Sequence, residues 1–226
     1  MSILTIMHVA AGSLAVVAGA IALGAPKGRP VHIAAGRAFV LTMGLSSLLG
    51  AGLGLMLADA HYITFHAGVL ATYLIVSSWM AARNRSGSVN GITVVLAALN
   101  GANCLALTLI GVVATASGAA FLGYRGENYL FLAGMAALAV GGDVNLIWRR
   151  TLSDRHRIAR HLWRMCLSFF IAAGSAFTGP GSKALPKALQ ESGLLSLPEL
   201  IIVLLMVFWL VRTLWQGRAA TPKANR

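Results

Sequence analysis

Residues 149–178 read RRTLSDRHRIARHLWRMCLSFFIAAGSAFT, and the order of these residues decides the fold. Arg149, Arg150, Arg155, Arg157 and Arg160 crowd the start, and an apolar run follows. A cationic segment feeding an apolar run is the pattern of a membrane helix anchored at its cytoplasmic end. Working outward from this span, placed at about 158–178, six more apolar runs occur, at about 3–23, 31–57, 61–82, 91–115, 129–148 and 197–215. Each is long enough to cross a ~30 Å hydrocarbon core as a helix, the conformation that satisfies every backbone polar group within its own segment. Turn residues separate the runs, as in Gly24-Ala-Pro-Lys-Gly-Arg-Pro30 and Gly123-Tyr-Arg-Gly-Glu-Asn128.

Composition supports the same reading. Of 226 residues, 58% are hydrophobic and 11% charged, against about 25% charged in a soluble domain. That excludes an ordinary soluble enzyme and a disordered segment. Cys104 and Cys166 both lie in apolar runs and form neither a disulfide framework nor a CxxC motif. The first run has no basic segment before it and is too long for a secretory signal. The expectation is one all-α domain over residues 1–226, an integral membrane bundle of seven transmembrane helices.

Eighteen Lys and Arg stand against six acids, a net charge of +12. Their placement gives the excess a topological meaning. Twelve fall in the first, third and fifth loops and the C-terminal tail: Lys27, Arg29, Arg83, Arg85, the five arginines above, Arg218, Lys223 and Arg226. Three fall in the alternate loops: Arg125, Lys183 and Lys187. By the positive-inside rule the N-terminus is outside and the C-terminus cytoplasmic, with a bacterial inner membrane as the expected location. The partners are then a lipid bilayer and, through the basic cluster, anionic head groups; nucleic acid is not expected. The segment 179–197 reads as a solvated connector, with a short surface helix over 183–192 as the alternative.

On this topology the six histidines form two layers. His8, His61 and His66 lie toward the outer side, and His32, His156 and His161 toward the cytoplasmic side. The i,i+5 spacing of His61/His66 and His156/His161 turns the members of each pair about 140° apart, so one of each can face the bundle. Gly12 and Gly36 lie one turn from His8 and His32 on the same faces, leaving a flat space for a porphyrin edge or a neighbouring helix. Stripes such as His8, Gly12, Ala15, Gly19 and Ala22 also fit plain small-residue helix packing.

Ionisable residues inside a membrane are costly and are functional candidates by default. Two imidazoles from different helices at one depth match bis-histidine ligation of a b-type haem. The leading expectation is two b haems, His8 with His66 outside and His32 with His161 inside, carrying electrons across the bilayer. Arg37, Arg164, Arg160, Lys27 or Arg29 would hold the inner propionates. An electron donor or acceptor such as a quinone or ferric iron is implied, and a homo-oligomer is a further expectation. The alternatives are a metal-ion or proton carrier or channel using the histidines and Asp143, a zinc or copper site in the outer layer from His8, His66, His61 and Asp59, and a structural assembly partner. Asp143 reads as a proton relay or as the partner of an arginine such as Arg37. No constellation for hydrolytic or nucleophilic catalysis is present.

Several motifs together carry a resemblance. They are Arg160-His-Leu-Trp-Arg-Met165 followed by Ile171-Ala-Ala-Gly174, Pro26-Lys-Gly28 followed by His32-x-x-x-Gly36-Arg37, the opening His8-x-x-x-Gly12, and Leu205-Met-Val-Phe-Trp-Leu-Val-Arg212. In these the chain resembles a bacterial family of multi-pass membrane proteins classed as a domain of unknown function. The resemblance implies the same span count and singles out His8, His32 and His161. In layout alone the chain is similar to transmembrane cytochromes b with two haems in a four-helix core.

Overall fold

The computed structural model describes residues 2–56 and 62–216. Asp59 and His61, which the sequence placed in the outer layer, lie outside the described residues, as do the last three basic residues of the tail. Among the described residues there is no strand; Ser88 with Thr151 and Phe121 with Tyr124 form isolated bridges. The long helices are α1 (Ile3–Gly24), α2 (Pro30–Met56), α3 (Tyr62–Arg83), α4 (Gly91–Ser117), α5 (Gly126–Arg149) and α6 (Asp154–Ala173). The short α7 (Lys187–Glu191) and the long α8 (Leu197–Gln216) follow. Seven helices among the described residues are long and apolar enough to cross a membrane, the sixth continuing through short turns to Ala184.

Local chemistry sets the ends. Pro30 opens α2, where its missing N–H costs nothing and its fixed φ suits a first turn. Asn90 caps α4 by accepting from the Thr93 N–H, and Gly118 ends that helix in the left-handed region at φ 65°. Ser153 caps α6 by accepting from the His156 N–H, so α6 begins at Asp154, earlier than hydropathy alone places it. The consequence matters for the site: Arg155, Arg157 and Arg160 lie on the helix itself rather than in a loop. Beyond Ala173 the helix loosens into a π turn over Gly174–Thr178. Short helical turns over Pro180–Ala184 and Leu194–Ser196 flank α7, so the segment 179–197 is largely coiled into helix rather than a plain connector.

The helices pack in two groups that share α3 and α6. In the first, α1 packs on α2, α2 on α3, α3 on α6 and α6 back on α1, closing a ring. Its core contains Ala15, Ala18, Phe39, Met43, Ala71, Ile75, Cys166 and Phe169. In the second, α4 and α5 pack together against the other side of α3, around Leu70, Tyr73, Leu74, Leu107, Tyr129 and Ala136. Helix α8 leans mainly on α6, and Ile202 is its one buried residue among those described.

Small residues set the spacing in the ring. A Cβ on Gly19 would sit 2.8 Å from the Phe169 ring, and one on Gly68 would sit 2.6 Å from the Ser47 carbonyl oxygen. The periphery is apolar, with Leu41, Leu48, Leu99, Leu138 and Leu204 all more than half exposed. In water that surface would drive aggregation; against lipid tails it carries no such cost. Loops 25–29, 84–90 and 150–153 share one end, where Lys27 lies over the Trp209 ring and Arg155 reaches the Leu214 carbonyl. This is the basic end.

Candidate functional site

Four histidines on the long apolar helices are each clasped by the helix beside them. His8 Nδ1 lies 2.8 Å from the Ser46 carbonyl oxygen, and Ser46 Oγ donates to the His8 carbonyl at 3.0 Å. His161 and Ser78 repeat the arrangement between α6 and α3. There Ser78 Oγ donates to the His161 carbonyl at 2.7 Å, and His161 Nδ1 meets Ser78 Oγ at 3.0 Å and the Ser78 carbonyl at 3.2 Å. His32 Nδ1 lies 2.9 Å from the Ala22 carbonyl on α1. His66 Nδ1 lies 2.7 Å from Asn103 Oδ1 on α4, and Asn103 Nδ2 donates back to the His66 carbonyl at 3.3 Å.

Every one of these partners offers an acceptor oxygen, so Nδ1 is the protonated nitrogen. Nε2 then carries the lone pair. Fixing the tautomer and ring angle in this way, through the nitrogen that does not ligate, is how proteins prepare a histidine ligand. His66 makes the point most sharply, because its Nε2 is buried and has no hydrogen-bond partner. Ser46, Ser78 and Asn103 were not singled out in the sequence. The signal available was a polar residue inside an apolar run at the depth of a histidine.

The ring sets which histidines meet. Helices α2 and α6 stand across it from one another. Their histidines, His32 and His161, both lie toward the basic end, near the starts of α2 and α6. Beside His32, no atom lies within 4 Å of the position a Cβ on Gly36 would take. One layer deeper, Phe39 and Phe169 meet edge to face with centroids 5.9 Å apart. Helices α1 and α3 are also opposed, yet the expected pairing of His8 with His66 is not made. His8 sits against α2 at Gly50, whereas His66 is turned to α4 and packed among Tyr62 and Phe65. The physical reason is angular. Ala71 and Ile75 carry the ring face of α3, and His66 lies on the face of Leu70 and Tyr73, which packs on the second group.

The remaining candidates resolve individually. The flat space at Gly12 is filled by α2, since a Cβ there would meet Ser46 Oγ at 3.0 Å. Arg37 is exposed and does not pair with Asp143, contrary to the sequence expectation. Lys27 folds back to cap α1 through the Ala22, Leu23 and Ala25 carbonyls, and burial pushes its ammonium pKa down. His156 is exposed and bonded to Ser153, its own helix cap. Among the described residues no group of three or more His, Cys, Asp or Glu is placed to hold a metal ion.

Asp143 is instead the centre of a buried charge cluster between α3, α5 and α6. Arg160 donates to its Oδ1 at 2.5 Å and Arg164 at 2.9 Å, and the Tyr73 hydroxyl donates to Oδ2. Arg164 is fully buried. It also reaches Ser77 Oγ at 2.7 Å and the Ala139 carbonyl at 3.0 Å, and it lies over the rings of Tyr73 and Trp163. Arg160 and Arg164, proposed from the sequence as propionate holders, are thus committed to α5. The arginines of the α6 motif lie three to four residues apart and so share a face with each other; that face is turned to α5.

No protein-family model, no curated protein and no solved structure matches this chain.

Proposed function

We propose that this chain is a multi-pass membrane protein that transfers electrons, using a b-type haem held between His32 and His161 at the basic end. One observation carries the reading. Two histidines on opposed helices of the α1–α2–α3–α6 ring both lie toward the basic end, and each has Nδ1 tied to a carbonyl of the adjacent helix. That leaves both Nε2 lone pairs as the ligating atoms. When bound, the haem supplies reversible one-electron chemistry at iron.

The chain's own residues do the rest. Ser78 and the Ala22 carbonyl orient the rings, and the bare Gly36 leaves room at the edge of the site. With Lys27, Arg160 and Arg164 engaged elsewhere, the exposed Arg29 and Arg37 are the side chains left to meet propionates. A quinone or ferric iron is the class of partner such a site would serve. The reading is for one haem, because His66 faces α4. The location is a bacterial inner membrane, with the basic end cytoplasmic.

The test is a reduced-minus-oxidised absorption spectrum of protein expressed with ample haem. The expected result is a b-type spectrum that His161→Ala and His32→Ala each abolish and His66→Ala retains. Colourless protein overturns the reading. The carrier alternative, resting on Asp143, is weaker on physical grounds: a carboxylate gripped by two guanidiniums and a phenol is a fixed anion, not one that loads and releases cargo.

A further inference from the structure

Between α3, α5, α6 and loop 84–90, on the side of α3 away from the ring, a cleft runs from the basic end into the molecule. It is lined by Ser77, Asn84, Ser88, Arg157 and Arg160 and ends on Tyr73 and Asp143. Its water-accessible volume is about 30 Å³, roughly two water molecules at ~10–15 Å³ each. Toward the surface it shares Met80 and Asn84 with a shallow depression of about 370 Å³ that also contains Trp79, Arg83 and Asn90. In that depression Arg83 lies over the Trp79 ring.

The charges around the cleft do not balance. Arg157 is paired with Asp154, a solvent-exposed carboxylate. Arg160 and Arg164 have only Asp143 between them. Two buried guanidiniums sharing one carboxylate leave one positive charge in a region of low dielectric, where an unpaired charge is expensive. Donors are in surplus as well. The two side chains already use the Gly142 and Ala139 carbonyls and Ser77 Oγ, and Arg164 Nε, behind the cleft wall rather than in it, is buried with no acceptor. The cleft reaches Arg160 and Asp143, two members of this cluster.

We propose that the cleft is an anion-binding site. It takes an oxoanion head, a phosphate or a carboxylate, with two or three oxygens in the slot beside Arg160 and the rest of the ligand in the depression at Trp79 and Arg83. The slot admits only a small head, which would meet the positive charge of Arg160 and Arg157 rather than a free guanidinium fork, since both forks already bond Asp143, Asp154 and backbone carbonyls. Two sources share this chemistry: a free anion from the aqueous phase, and the phosphate of an anionic lipid whose chains lie outside the bundle. The site is separate from the haem reading and stands or falls without it.

The test uses full-length protein in nanodiscs. Inorganic phosphate is titrated calorimetrically, at constant ionic strength, into protein in neutral phosphatidylcholine. Thermal stability is then compared between phosphatidylcholine and phosphatidylglycerol discs. Wild type is compared with Asn84→Leu, which makes the cleft lining apolar and leaves the ion pairs alone while giving up the Asn84 bonds to Ser86 and Ser88, with Ser86→Ala, which loosens the same loop without changing the lining, and with Arg160→Gln. Saturable phosphate binding that weakens at least tenfold in Asn84→Leu supports the site with a free anion as ligand. Stabilisation by phosphatidylglycerol that is lost in Asn84→Leu, without phosphate binding, supports it with a lipid head group. No response to either probe, or equal responses in wild type and Asn84→Leu, overturns it. Because Asn84→Leu leaves Asp143 paired, the conclusion does not depend on whether Arg160→Gln folds.

Discussion

The reciprocal clasp between a serine and a histidine, found at Ser46/His8 and again at Ser78/His161, is the smallest recurring polar unit between helices in this molecule. It ties each imidazole to the helix beside it and leaves one ring nitrogen unclaimed. Asp143 illustrates a different residue-scale principle. Its oxygens accept from three side chains, so removing its charge strands two guanidiniums in the interior. Asp143→Leu is expected to cost about 3–5 kcal/mol, seen as a large fall in thermal stability of the purified protein. Replacing Arg164, Asp143 and Arg160 together by apolar residues of similar size should recover much of that loss, since no charge is then left unpaired. A triple variant no more stable than Asp143→Leu would contradict this account. These assignments were only half legible beforehand. The sequence shows an acid and several arginines in or near spans, but the acid–arginine distances depend on which faces of α5 and α6 meet.

At the scale of the element, the helix ends followed from capping chemistry more than from hydropathy. Ser153 and Asp154 start α6 inside a stretch too polar to read as a span, and this winds the arginines onto a helical face. The small-residue stripes proved to be packing surfaces: Gly12 and Gly19 let α2 and Phe169 come close. Gly68 is the most constrained of those in the ring, because the atoms a Cβ would strike belong to the α2 backbone, the Ser47 oxygen at 2.6 Å and the Ala51 nitrogen at 2.8 Å. Backbone cannot swing aside as a side chain can. Gly68→Ala should therefore force α2 and α3 apart and destabilise the protein by about 1–3 kcal/mol. Gly36→Ala, which meets nothing, should leave stability within about 0.5 kcal/mol of wild type. Thermal unfolding of the two variants side by side is the measurement.

For the whole molecule, seven apolar helices and an uneven charge distribution predict one orientation. Reporter fusions at the C-terminus and at loop 84–90 should both report the cytoplasm, and a fusion at loop 118–125 the opposite side; any other combination removes the topological meaning of the basic end. The number of long apolar helices and the crowding of basic residues toward one end were determined by the sequence alone. The reason is that they depend on one-dimensional quantities: run length against bilayer thickness, and the side on which cations fall. Only the tertiary structure decided that α1, α2, α3 and α6 close a ring and that His32 is held by α1 and His161 by α3. It also decided that His66 turns to α4 and that Arg160 and Arg164 turn inward to Asp143. In lipid every face of a helix is apolar enough to be exposed, so hydrophobicity does not mark the inward face. Close packing of small residues and a few interhelical hydrogen bonds choose the rotation instead, and those are properties of helix pairs.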